Sequence, residues 1–138
     1  MTRRTAPPTG WPAPEAAILD GVEVALGPLC EEVAARCFDQ FPEDLSRYGE
    51  DVARAWEIHD TRHVLSWAIG AVEGRVDLDR EITWLARVLE SRGFPLEHLA
   101  TNLDLSADVA AERIDGGDGV AEPLRAAATL VRRTPSFL

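Results

Sequence analysis

The stretch DLDREITWLARVLESRG, residues 77–93, reads as one complete helix with a start, a stripe and a stop. Asp77 offers a side-chain oxygen where the first turn leaves backbone N–H groups unpaired. Leu78, Ile82, Leu85 and Leu89 recur at three- and four-residue spacing, which lines them along one face. Arg92 complements the negative end of the helix dipole, and Gly93 supplies the left-handed residue that closes it. A face of that kind needs other apolar faces to bury against, so the neighbouring segments decide the architecture.

Those segments repeat the same grammar. Upstream, residues 50–73 form a long helix whose second half (Val64, Leu65, Trp67, Ala68, Ile69, Ala71, Val72) is apolar nearly all round, as a central helix requires. Before it, residues 28–40 place Leu29, Val33 and Cys37 on one face, and residues 43–48 form a short turn or helix stopped by Gly49. An opening helix is expected from about Pro14 to Ala25, broken at Gly27-Pro28. Downstream, Pro95 opens a helix with Leu96, Leu99 and Leu103 inward, and Ser106 is expected to cap a separate continuation to Ile114. Residues 115–119 (DGGDG) read as a loop, and a last helix over about 120–133 uses Leu124, Ala127, Ala128 and Val131. Period-two alternation is almost missing, so strand content near zero is expected. The sequence predicts an all-α domain of five to seven helices, a compact bundle or a globin-like arrangement. Its expected limits are residues 13–133, between a disordered tail at 1–12 and a short tail at 134–138.

Charge narrows the function. The chain has 138 residues with 24 acidic and 14 basic side chains, a formal net charge of −10, and no basic cluster larger than an arginine pair near each end. Nucleic acid and anionic membrane surfaces are therefore poor partners. Every basic residue is arginine, which excludes Schiff-base lysine chemistry. No apolar signal core follows Arg3-Arg4, and no apolar run is long enough to span a bilayer. Cys30 and Cys37 lie seven apart in a helix, roughly 10 Å along its axis, beyond the ~7 Å that a disulfide tolerates. They are expected as reduced thiols in a cytoplasmic protein.

The candidate chemistry gathers on the long helix. A 100° wheel puts Val52, Trp56, His59, His63, Ser66 and Gly70 on one stripe. Small residues allow close approach of a flat ligand or a helix, and imidazoles offer hydrogen bonds or axial ligation. Trp56, His59, His63, Ser66 and Gly70 are the expected ligand wall. His59 and His63 also have the i, i+4 spacing of a two-histidine metal grip, with Asp60 where zinc hydrolases carry a glutamate. Aspartate is one methylene shorter, and no third ligand follows in zincin spacing. The absence of Glu-x-x-His argues against a di-iron bundle. No catalytic residues are assigned. His98 is expected to be solvated, and Asp104, Asp108 and Glu112 form a wet acidic stripe.

Over residues 41–105 the chain resembles helical input domains of bacterial sensory and regulatory proteins, which have globin-like or bundle folds and often precede cobalamin-binding or STAS output domains. The resemblance lies in His59-Asp60-Thr61-Arg62-His63-Val64-Leu65, in Trp84-Leu85 and Val88-Leu89, and in Arg92-Gly93-Phe94-Pro95 ahead of a leucine-spaced helix. It implies a sensing or interaction role for what would be a stand-alone module, with a small-molecule ligand, a protein partner or a homodimer. The cofactor expectation is none. The alternatives are a haem or other tetrapyrrole with His59 or His63 as axial ligand, and a small metal enzyme using the same pair.

Overall fold

Asp77 opens its helix as the sequence requires, its Oδ1 accepting a hydrogen bond from Arg80 N at 3.2 Å. The computed structural model describes residues 12–138. The expected tail at 1–12 lies, apart from Pro12, outside the described residues. Within them the order is β1 (Ala16–Leu19), β2 (Val22–Ala25), α1 (Gly27–Gln40), α2 (Glu43–Tyr48), α3 (Glu50–Val72), α4 (Leu78–Ser91), α5 (Leu96–Arg113) and α6 (Gly117–Arg133). The six helices pack as one all-α bundle, in the range expected.

Three local readings are corrected. Residues 16–25 form an antiparallel hairpin, not a helix, with Ala16 opposite Ala25 and Leu19 opposite Val22. Asp20 and Gly21 both take positive φ (51° and 79°), the two-residue turn whose twist matches paired strands. An Asp-Gly pair followed by Val22 and Val24 is the signal that outweighs the helix propensity of the alanines. Ser106 caps nothing, because α5 runs through it unbroken. Its side chain is buried, and the hydroxyl donates to Asn102 Oδ1 at 3.3 Å. Helix α6 begins three residues early, at Gly117. A Cβ there would sit 1.9 Å from the Ala110 carbonyl oxygen, so only glycine lets the end of α5 and the start of α6 close on each other.

α5 and α6 pack along each other's length, with α1 and α3 against them. Leu65 and Ile69 of α3, Leu103 and Val109 of α5, and Val120 and Leu124 of α6 are almost wholly enclosed. The α4 stripe is buried as expected, while Trp84 on its flank stays 42% exposed. Residues 134–138 are not a free tail. Phe137 N donates to Glu90 Oε1 at 2.7 Å and the Phe137 ring packs on the core, which fastens the chain end to α4. Cys30 and Cys37 are free, buried thiols. No helix among the described residues is long and apolar enough to cross a membrane.

Candidate functional site

The polar chemistry collects where α2, α3, α4 and the start of α5 meet. On α3, Ala53, Trp56, Glu57, Asp60 and Val64 follow the helical repeat and turn one face toward a narrow cleft with about 30 Å³ of free volume. Asp44 and Tyr48 come from α2, Leu85 and Leu89 from α4, and His98, Leu99 and Asn102 from α5. Phe38 of α1 and Phe94, in the link before α5, complete the wall.

Asn102 is the hub. Its side-chain amide donates to Glu57 Oε1 at 2.5 Å and to Thr61 Oγ1 at 3.0 Å, and lies 3.8 Å from Cys37 Sγ. Ser106 donates to its carbonyl, so both ends of this buried amide are engaged. The Glu57 carboxyl is deep among protein atoms although part of the side chain faces the cleft. Burial pushes its pKa up to about 7. The Asn102 amide and the Cys37 thiol oppose that rise, and the negative charges of Asp60 and Asp44 add to it. Burial first, and then Glu57, pushes the Cys37 thiol far upward, so it stays protonated and unreactive.

At the other side of the cleft, Asp44 Oδ2 and His98 Nδ1 are 2.7 Å apart, with both side chains nearly enclosed. This hydrogen bond fixes the orientation of the His98 ring against Asp44. The imidazole stacks on Phe41 with ring centres 3.7 Å apart and meets the edge of Phe94 at 5.7 Å. His98 is therefore not solvated, contrary to the sequence expectation, because α2 folds back over the first turn of α5. The second oxygen of Asp44 is buried without a hydrogen bond, 3.4 Å from Arg47 Nη1.

The expected ligand wall is divided among four places. Trp56 lines the cleft, with the Arg92 guanidinium 5.5 Å over its ring. Trp56, His59, His63, Trp67 and Trp84 form a continuous row of rings with centres 5.0 to 6.4 Å apart. His59 Nδ1 is 3.2 Å from Asp60 Oδ1, and burial is the main cause holding the His63 pKa below its ordinary value. Ser66 faces a shallow groove beside β1. Gly70 is buried against Val76, whose Cγ2 would lie 2.5 Å from an added Cβ. Among the described residues no three His, Cys, Asp or Glu side chains come together to hold a metal ion. Nor is the acidic stripe simply wet. Asp104 pairs with Arg132 at 2.6 Å, Asp108 with Arg125 at 2.8 Å and Glu112 with Arg36 at 2.8 Å.

Glu57, Asn102, Asp44 and His98 escape a reading by motif. Their one sequence signal is polarity at inward positions: Asn102 and Ser106 interrupt the apolar run of α5, and Glu57 shares a face with Ala53 and Val64. Set against protein-family models, curated proteins and solved structures, the chain matches none.

Proposed function

We propose that this chain is a helical regulatory module whose responsive element is the cleft between α2, α3, α4 and α5, filled by a small ligand. The observation that carries this reading is the concentration of enclosed polar groups on that cleft. Asp44, Glu57, His98 and Asn102 all meet there, and a core built only for stability would hold apolar groups of similar volume instead. Helices α1 to α5 all contribute to the wall, so an occupant contacts several helix interfaces at once and biases how they pack. The resemblance of residues 41–105 to sensory input domains points the same way.

The test is a ligand screen by thermal denaturation, followed by hydrogen exchange on any stabilising compound. A ligand at a hundred times its Kd stabilises the folded state by about 2.7 kcal/mol, which a melt resolves easily. Protection is expected in α2 and in the first turns of α5. Protection confined to the β hairpin or to α6 would place the responsive element elsewhere and overturn the proposal.

A further inference from the structure

We infer that the row of rings on α3 and α4 is a docking strip for this chain's own N-terminal segment, residues 1–11, which crosses His59, His63, Trp67 and Trp84 as an intramolecular strap. The described chain begins beside that strip. Ala13 is only 8% exposed, and Pro12 and Ala13 share a groove with Ala55, Ile58, His59 and Arg62 of α3. Leu26 N donates to the Glu15 carbonyl at 2.9 Å, which ties this stretch to the base of the hairpin. The point where residues 1–11 leave the body is therefore held next to His59. From there the rings of His59, His63, Trp67 and Trp84 follow one another with centres 5.0 to 6.4 Å apart. Trp84, at the far end, is a large aromatic side chain left 42% exposed.

The segment has the chemistry that such a strip accepts. Residues 1–11 read MTRRTAPPTGW, with Pro7 and Pro8 adjacent and Trp11 at the exit. Proline favours the extended polyproline conformation, which loses little entropy on binding and docks readily on aromatic-lined grooves. Trp11 adds a ring that packs well against other rings. Eleven residues at about 3.1 Å each reach roughly 34 Å, enough to pass every ring from His59 to Trp84. Charge agrees, because the segment carries Arg3 and Arg4 and no acid, while all 24 acidic side chains belong to the rest of the chain. The tether then decides between occupants. It holds the segment at a local concentration on the order of millimolar, which a separate peptide or a second copy would have to exceed. Nothing in this arrangement requires an occupant in the cleft.

The experiment attaches a nitroxide to the full chain at Thr5→Cys and reads its relaxation effect on the indole N–H signals of Trp67 and Trp84 by NMR. The label goes to that position alone, because Cys30 and Cys37 are buried and burial pushes both thiols up, Cys30 to about 12. Both indole signals are expected to broaden strongly at every protein concentration. With Pro7→Ser, Pro8→Ser and Trp11→Ser added to the labelled chain, the broadening is expected to fall at least fivefold, since the tether is unchanged and only the docking groups are gone. Trp84→Ala, at an exposed position, is expected to weaken the broadening at Trp67 as well. Equal broadening with and without the three segment side chains would show mere nearness of a tethered chain and overturn the inference. Broadening of an isotope-labelled chain without nitroxide by an added nitroxide-labelled copy would assign the strip to a second copy and overturn it too. Sharp signals in the labelled chain itself would do the same.

Discussion

Helix α5 passes through two different interiors. Its C-terminal half packs along α6, and Ala107, Val109 and Ala110 there are fully enclosed. Its N-terminal half carries His98 and Asn102 into a network of carboxylates, a thiol and a hydroxyl. One helix thus packs apolar groups at one end and a polar network at the other. The first end gains free energy from burial, and the second gives some up, because enclosed charges repay their desolvation only when well paired.

Substitutions can break or sharpen this contrast. The largest effect is expected at the apolar end, where Leu124→Ala removes a fully enclosed side chain and costs about 2–5 kcal/mol through lost burial and a cavity. Denaturant unfolding measures it, and a loss below 1 kcal/mol would mean that the α5–α6 contact repacks freely. At the polar end the sign reverses. The folded state keeps a proton on Glu57 up to about pH 7, whereas the unfolded chain releases it near 4.5. Stability from this group therefore falls as pH rises through that window and levels off above it. The shift is on the order of 3 kcal/mol, so Glu57→Gln is expected to flatten the fall and to be the more stable protein at pH 8. A pH series of melts checks both points. His63 acts in the opposite direction: its lowered pKa makes the folded state lose stability as pH falls below 6.5, so the series is best read in both backgrounds.

Asn102→Ala is expected to cost roughly 1–3 kcal/mol by leaving enclosed partners unpaired, and to cost less at pH 5, where a protonated Glu57 can donate for itself. Equal losses at pH 5 and 8 would show that Asn102 matters for packing and not for the carboxylate. The smallest effect belongs to neither interior. Arg125→Ala breaks an exposed ion pair with Asp108 and is expected to change stability by less than about 1 kcal/mol. A larger loss would assign the surface network a role that its exposure argues against.

The legible parts of the fold were the local ones. Asp77, the leucine stripe and Gly93 act within one helix, so their spacing carried the whole message. The hairpin was missed because each strand has four residues and the first is mostly alanine and leucine, leaving Asp20-Gly21 as a two-residue cue. The helical start at Gly117 was hidden because glycine there answers a tertiary demand, the close approach of Ala110, and not a loop's need for freedom. The expected stripe of α3 was legible as a face, and it led to Trp56 and to the row of rings. The cleft was not legible, since its pairs lie far apart in sequence: Asp44 and His98 are 54 residues apart, Glu57 and Asn102 45. No spacing rule connects them, and only the packing of α2 and α3 on α5 does.

The Gly117 contact also bears on the order of folding. α5 and α6 are joined by the short Ile114–Gly116 link, so their interface closes at a small loop-entropy cost and can form before the bundle is complete. The cleft, whose pairs must wait for distant segments to arrive, then assembles last. On that sequence of events, crowding the Gly117 contact slows refolding, while changes around Glu57 act mainly on the rate of unfolding. The nucleus and the cleft would then lie at opposite ends of one helix, so that the cleft can change with little effect on how fast the chain finds its fold.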